Sequence, residues 1–261
     1  MRERGVLLGL SEKSFVLDKL ELAHAEGVFE ALEAIYSGVP PSICHRQALC
    51  CRESPRIYFV EFLNIYRALT TLPRKEQALV QERSIRYAFL DLCDPTICCP
   101  LLEGNRCLLY EARGLRCRLW GHQSRERYDQ QISAAKKAMA GFNKLVNQYG
   151  LRIPDEILAS QSPYCRVVAL SSEPTTDEGA IRLEKRLRQL ECRFLGTTDP
   201  EERYVDFSRQ LCITFFGLPG YGDMRVRAMR EYLERGSEEA LQPLLKHARA
   251  MTLFQTPQPH R

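Results

Sequence analysis

The stretch CPLLEGNRCLLYEARGLRCRLW, which runs from Cys99 to Trp120, concentrates cysteines, arginines and turn-forming residues in one short segment. Pro100, Gly104 and Gly114 interrupt it, and no helical period survives across them. A segment of this kind needs something other than a local hydrophobic core to hold it, and metal coordination can serve that purpose. The stretch therefore predicts a loop-rich, cysteine-cluster metal-binding region.

The cysteines of the whole chain are unevenly spread. Eight of the 11 lie between residues 44 and 117. These eight are Cys44, Cys50, Cys51, Cys93, Cys98, Cys99, Cys107 and Cys117. In a reducing compartment, clustered cysteines are more often metal ligands or catalytic thiols than disulfides. The clustering therefore favours a metal site.

Composition and charge narrow the classes of protein that the chain can belong to. The apolar patch Val6–Leu10 is too short for the core of a signal peptide, and no apolar stretch is long enough to span a membrane. We therefore expect a cytoplasmic protein that does not bind membranes. The 261 residues carry a net charge of +4 with a pI near 8.5, and basic and acidic residues are interleaved. That pattern argues against a nucleic-acid partner.

The cysteines divide into two segments that could share one metal site. The first segment contains Cys44 and the doublet Cys50–Cys51, and the second runs from Cys93 to Cys117. The residues between them are predicted to form a helical hairpin that brings the two segments together. The spacings match neither a zinc finger nor the ferredoxin pattern, so the spacing alone leaves the metal open.

Several short motifs in this region resemble those of a known family. In order, they are a Cys-Cys doublet after an upstream Cys, Cys-Pro-x-Leu, Gly-x-x-Cys-x-x-Tyr-x-x-Arg, and Cys-Arg-x-Trp. The matching residues are Cys44, Cys50, Cys51, Cys99, Pro100, Leu101, Leu102, Gly104, Cys107, Tyr110, Arg113, Cys117, Arg118 and Trp120. Over roughly residues 40 to 121 the chain resembles the YkgJ-type cysteine-cluster proteins, which are described as zinc- or iron-chelating. It departs from them at Gly114, where the family usually has Pro, and in its extra cysteines.

The resemblance implies a ligand set and leaves several functions open. The predicted ligands are Cys44, Cys50, Cys51, Cys99, Cys107 and Cys117. Six thiols are more than one zinc needs, so we expect an iron–sulfur cluster of the [4Fe–4S] type, with zinc as the alternative. The expected role is redox or electron transfer with a protein partner. Structural zinc would instead indicate a protein-interaction module, and a related segment in flagellin lysine methylases suggests a protein-modifying enzyme component.

The sequence gives weaker reasons to assign the other cysteines to the metal site. Cys93 and Cys98 lie close to the predicted ligands in sequence, and Cys165 follows a turn that could bring it back to them. These three are further candidate ligands. Cys192 and Cys212 fall on apolar faces of predicted helices, so we expect them in the core.

Two histidines and three arginines accompany the predicted ligands. His45 and His122 could bind a metal or support a ligand, although a solvated or locally bonded histidine is the simpler interpretation. Arg113, Arg116 and Arg118 could offset the charge of a thiolate cluster, could dock an acidic partner, or could simply face solvent.

The rest of the chain is predicted to be mostly α-helical. Apolar spacing, helix breaks and caps predict helices over 14–36, 55–70, 74–92, 124–149 and 176–194, with a further helix starting at Asp199. The predicted regions are an N-terminal helix (1–39), a cysteine-cluster metal-binding domain (40–121) and a C-terminal helical region (122–261).

Overall fold

The computed structural model describes residues 2–43, 48–165, 168–169, 176–217, 220–250 and 253. Within those ranges the chain is mostly α-helical, as predicted, with eleven helices and three pairs of two-residue strands. The helices are α1 (Arg2–Ala25), α2 (Val28–Tyr36), α3 (Phe59–Leu69), α4 (Arg74–Leu90), α5 (Leu115–Leu119), α6 (Arg125–Asn147), α7 (Asp155–Ala159), α8 (Asp177–Leu195), α9 (Phe207–Phe216), α10 (Tyr221–Arg235) and α11 (Gln242–Ala250).

Two of the three strand pairs join distant parts of the chain, and the third is a local hairpin. They are β1 (Ser42–Ile43), β2 (Arg56–Ile57), β3 (Leu102–Glu103), β4 (Arg106–Cys107), β5 (Val168–Ala169) and β6 (Val205–Asp206). All three pairs are antiparallel: β1 with β5, β2 with β6, and β3 with β4. Two of the three pairs therefore tie the cysteine-rich half of the chain to the C-terminal half.

Helix α9 occupies the centre of the helical packing. It lies against α1 on one side and α4 on the other, and α4 also packs on α10 and α11. Helices α2 and α3 pack on α8. The largest core is rich in aromatic side chains, among which Tyr66, Phe62 and Phe207 are fully buried. The core therefore draws on both ends of the sequence.

Local sequence explains where several helices begin and end. The predicted helix over 14–36 is two helices, because Gly27 adopts a left-handed conformation (φ 68°) between α1 and α2. Ser124 and Thr176 cap α6 and α8, each accepting a hydrogen bond from a backbone N–H in the first turn.

The prediction of a helix starting at Asp199 is wrong. Residues 199–203 form turns, and the next helix, α9, begins only at Phe207. Pairing with β2 keeps Val205 and Asp206 extended. The Asp206 side chain then accepts a hydrogen bond from the Arg209 N–H at 2.8 Å and caps α9.

Helix α6 stands apart from the core. Of its 23 residues only Tyr128 and Val146 are buried, and Phe142 and Leu145 remain exposed. Among the described residues, no helix combines the length and the apolar character that a membrane crossing requires.

Candidate metal centre

The predicted ligands are carried by short structural elements. Cys50 and Cys51 end a single 3-10 turn that starts at Leu49, Cys107 lies on β4, and Cys117 lies in the five-residue helix α5. Cys99 follows the turns after α4. The predicted ligand Cys44 and its neighbour His45 lie outside the described residues.

Backbone contacts bring three of these pieces of chain together. The Cys99 N–H donates to the Cys51 carbonyl at 2.9 Å, and the Leu102 N–H donates to the Cys99 carbonyl at 3.0 Å. Leu102 is also the pairing partner of Cys107 across the β3–β4 hairpin. The cysteine doublet, the Cys99 loop and the hairpin therefore form one continuous hydrogen-bonded unit.

Glu61 attaches the helix that carries Cys117. This glutamate is 2% exposed, and its Oε1 accepts hydrogen bonds from the Leu115 N–H (2.6 Å) and the Tyr36 hydroxyl (3.2 Å). Its Oε2 accepts from the Tyr58 N–H at 3.1 Å. Burial raises the pKa of Glu61, and the hydrogen bond from Leu115 partly opposes that shift. One carboxyl group therefore joins α2, the start of α3 and the start of α5.

Sequence reasoning missed Glu61, although a signal for it exists. It is the one charged residue in the apolar run from Phe59 to Leu63, on a helix whose neighbours are buried. A carboxyl group in such a position must find hydrogen-bond donors, which makes it a structural candidate.

The described thiols affect one another electrostatically. The Sγ atoms of Cys50 and Cys51 lie 3.8 Å apart, and their hydrogen bond lowers the pKa of Cys50 to about 7 while it raises the pKa of Cys51. Burial raises the pKa of Cys117 to about 12, with further contributions from the charges of Cys50 and Cys107. Burial also raises the pKa of Cys99, and Cys117 and Cys107 add to that shift.

These five residues are unbridged thiols in the structure. Cys99 is 5% exposed, and Cys50, Cys51, Cys107 and Cys117 are half-buried. They belong to the same neighbourhood, because each raises or lowers the pKa of at least one other. The arrangement offers several soft sulfur donors in a largely buried setting.

Within the described residues, no three His, Cys, Asp or Glu side chains are placed so that they could hold a metal ion as they stand. That set does not include Cys44. Protonated thiols have no favourable interaction that would draw them to one point. Thiolates converge on one point when they bind the same metal ion.

Arg113 lies beside the thiols. Its charge lowers the pKa values of Cys50, Cys107 and Cys117, in each case after larger effects of hydrogen bonding or burial. The Arg113 Nε–H donates to the Tyr110 carbonyl at 2.7 Å, so the guanidinium is held in place. A cation in this position would offset negative charge on a thiolate site.

The three further candidate ligands lie in different surroundings. Cys93 is 5% exposed and packs in a separate core with Val146 and Met229, and the charge of no other cysteine is among the causes that shift its pKa to about 12. Cys98 neighbours Cys99 and raises the pKa of that thiol. Cys93 is therefore set apart from the other thiols, whereas Cys98 is close to them.

Cys165 lies in a segment that contacts the region of the cysteine doublet. The Ser162 hydroxyl donates to Glu53 Oε1 at 2.8 Å, two residues after Cys51. The β1–β5 pairing then places Val168 opposite Ile43, the residue before Cys44. Two contacts thus bring the chain around Cys165 towards the predicted ligand segment.

The structure also shows where Cys212, Cys192 and His122 lie. Cys212 is 1% exposed in the core between α9 and its neighbours, while Cys192 is half-buried on α8. His122 is 9% exposed, and burial lowers its pKa.

A cavity of about 1020 Å³ opens beside the thiols. Cys51 and Cys98 line it, together with His122, and the small residues of α6 form part of its far wall. It lies between the cysteine-bearing loops and the exposed helix α6, so the site borders on an accessible space.

No protein-family model, no curated protein and no solved structure matches the chain. The resemblance to the YkgJ-type proteins therefore stays a prediction that depends on the motifs between Cys44 and Trp120.

Proposed function

We propose that this chain binds an iron–sulfur cluster of the [4Fe–4S] type and exchanges electrons with a protein partner. The ligands would be drawn from Cys44, Cys50, Cys51, Cys99, Cys107 and Cys117. The observation that carries the proposal is the shared neighbourhood of the five described thiols, which come from four separate parts of the chain.

The donor set suits such a cluster. A cluster needs four thiolates, and soft sulfur donors bind iron and zinc strongly. The surroundings also fit, because Cys99 and Glu61 are buried and Arg113 supplies a compensating positive charge. When bound, the cluster would supply one-electron chemistry. Since free thiols require a reducing environment, the proposal places the protein in the cytoplasm.

The protein itself contributes position and electrostatics. The Cys51 carbonyl fixes the Cys99 backbone, and Glu61 fixes the start of α5, two residues before Cys117. Arg113 balances charge beside Cys50 and Cys107. These contacts would hold the donors near one another before metal enters, which lowers the entropy cost of assembling the site.

The first test is anaerobic purification followed by metal and sulfide analysis. We expect a brown protein that contains iron and acid-labile sulfide in comparable amounts. Cys99→Ser should lose most of the iron, because it removes a donor at the centre of the group. Cys192→Ser, at a half-buried position on α8, is the matched control and should keep the iron.

A colourless protein with stoichiometric zinc would contradict the proposal and favour the structural-zinc alternative. A brown protein in which Cys99→Ser and Cys192→Ser retain the same iron content would place the cluster elsewhere.

A further inference from the structure

The net positive charge of the chain is concentrated in one segment. Residues 130–154 contain Lys136, Lys137, Lys144 and Arg152 and no Asp or Glu, which gives the segment a formal charge of +4. The whole chain also has a net charge of +4, so the residues outside this segment balance to zero. The three lysines lie on helix α6. The excess positive charge of the protein therefore has a definite location.

The three lysines of α6 are exposed and, in the described part of the molecule, form no ion pair. Side chains three and four positions apart meet on a helix surface, and every such neighbour of these lysines is neutral. The nearest acidic residue of α6, Asp129, pairs with Arg125 at 3.0 Å. On the adjoining helix α7, Asp155 pairs with Arg152 at 3.1 Å.

The same helix exposes apolar side chains along a second face. Phe142 is 37% exposed, and Leu145 is 48% exposed. They extend a row of exposed positions at helical spacing that begins with Ala134 and Ala138. Adjoining apolar side chains on a surface mark an interaction site more often than isolated ones do. We call these four residues the apolar row of α6.

The apolar row lies beside open space. Its two alanines line the cavity of about 1020 Å³ described above, and Leu92 and Ile157 are among the residues of the other walls. Because alanine has a short side chain, another helix could approach this face of α6 closely. A concave surface of this kind accepts a rod-shaped segment of protein, whereas a flat membrane surface could not enter it.

Two of the lysines lie along one edge of the apolar row. Lys137 follows Ala134 by three positions, and Lys144 lies seven positions after Lys137, so the two lysines share one side of α6. At a rise of about 1.5 Å per residue, their Cα atoms lie about 10 Å apart along the helix axis. A helix that lies on the apolar row would therefore meet two cations about two turns apart.

We propose that this face of α6 docks an acidic amphipathic helix of a partner protein. Large apolar side chains of the partner fill the space over Ala134 and Ala138 and cover Phe142 and Leu145. Asp or Glu residues at the edge of the same helix, about seven positions apart, pair with the two edge lysines. The inference is independent of the proposed metal, because α6 carries none of the predicted ligands.

A protein helix fits this surface better than a nucleic acid. Phosphate groups would pair with the lysines, but a phosphate backbone offers no apolar surface that would cover Phe142 and Leu145. An acidic amphipathic helix matches both the charge and the apolar row.

The test measures binding of the full chain to a synthetic peptide by fluorescence anisotropy. The peptide is about 20 residues long, which is enough to form a helix, with leucine at its apolar positions and glutamate along both edges. We expect saturable binding whose Kd rises at least about tenfold as ionic strength increases from about 0.01 M to about 1 M, because the screening length falls from about 30 to about 3 Å. The same peptide with lysine in place of every glutamate should not bind.

Two variants of the protein test the two parts of the surface. Lys137→Gln, Lys144→Gln removes both edge cations and should weaken peptide binding about tenfold at low ionic strength. Ala138→Glu places a negative charge in the apolar row and should weaken binding by at least about tenfold. Because Ala138 is exposed and glutamate favours helix, this variant should keep the fold, which far-UV circular dichroism would verify.

Lys75→Gln, Lys246→Gln is the matched control for the loss of two positive charges. It removes exposed lysines from α4 and α11 and leaves α6 intact. The Kd for the acidic peptide should therefore stay as in the original protein.

Each contrary result overturns the docking proposal. The absence of saturable binding, equal affinity for the lysine peptide, or equal weakening by the two double Lys→Gln variants would show that α6 does not select an acidic helix. Tighter binding to phosphatidylserine vesicles or to a single-stranded DNA oligonucleotide would assign the surface to a membrane or to nucleic acid. A dimer in sedimentation that Ala138→Glu dissociates would show that a second copy of the chain covers it. The iron and sulfide analysis tests the proposed function separately from all of these outcomes.

Discussion

Two buried glutamates act through backbone N–H groups on other elements. Glu61 accepts from Leu115 at the start of α5, and Glu191 accepts from Phe59 (2.9 Å) and Val60 (3.0 Å) at the start of α3. The first turn of a helix has N–H groups without intrahelical partners, and a carboxyl group satisfies them. At the residue scale, these two side chains link the elements around the candidate metal centre.

Glu191 should make the stability of the protein depend on pH. Burial raises its pKa from 4.5 to about 7, against the opposing effect of its hydrogen bonds from Val60 and Phe59. A raised pKa means that the fold favours the protonated form, so this stabilisation is complete below the unfolded pKa and is lost as the pH rises through about 7. We expect the free energy of unfolding to fall by about 2 kcal/mol between pH 5 and pH 8 from this group.

Denaturant unfolding at several pH values would measure that effect. Glu191→Gln cannot ionise, so the fall between pH 5 and pH 8 should become smaller by about 2 kcal/mol. Glu178→Gln, at an exposed position on the same helix, should keep the dependence of the original protein. Equal slopes for the Glu191→Gln variant and the original protein would show that Glu191 does not titrate in this range.

At the element scale, the short helix α5 depends on close packing at its N-terminus. A Cβ atom on Gly114 would lie 2.9 Å from Glu61 Oε1 and 3.3 Å from Ile57 Cγ2. Glu61 cannot retreat without losing its bond to the Leu115 N–H. Gly114 therefore permits the contact between Glu61 and the helix that carries Cys117.

Gly114→Ala should displace Glu61 or α5, and should lower the free energy of unfolding by about 1–3 kcal/mol. We also expect it to reduce the iron content, because α5 positions Cys117. Gly141→Ala is the control: Gly141 lies within α6 with open space around it, so alanine there should stabilise the protein by about 0.5–1 kcal/mol. Thermal unfolding and iron analysis of both variants would measure the two effects, and a Gly114→Ala variant as stable as the original protein would refute the close-packing argument.

At the scale of the whole molecule, the cysteine-rich half is held by the C-terminal half. Helix α4 packs on α9, α10 and α11, α1 packs on α9, and β2 pairs with β6. Ser54, three residues after Cys51, accepts a hydrogen bond from the Ser208 hydroxyl at 2.9 Å. The candidate metal centre therefore rests on contacts between residues that are far apart in the sequence.

A chain cut after residue 121 should not fold by itself. It would expose the faces of α1 and α4 that α9 covers, including apolar side chains such as Leu20 and Ile85. We expect the 1–121 fragment to show no cooperative thermal transition and no protected amides by hydrogen exchange, whereas the full chain unfolds cooperatively. A cooperative transition in the fragment would show that residues 1–121 form an independent domain.

Local patterns in the sequence were sufficient to predict several elements. Helix breaks and caps predict α4, α6 and α8 to within a few residues, because breaking and capping a helix involve residues a few positions apart. The same local reasoning failed at Asp199, where pairing with the distant strand β2 decides the conformation. Local reasoning also predicted one helix where α1 and α2 are separate, because a single glycine at position 27 is a weak signal for a helix end.

The sequence by itself determined a mostly helical protein and identified which cysteines to consider, because residue type and spacing are local properties. Only the tertiary structure separated Cys93, which packs with Val146 and Met229, from the thiols around Cys99. Only the tertiary structure brought Glu61 to the start of α5. These placements depend on packing between segments more than 50 residues apart, as between Glu61 and Leu115 (separation 54), and no local pattern encodes which distant faces will meet.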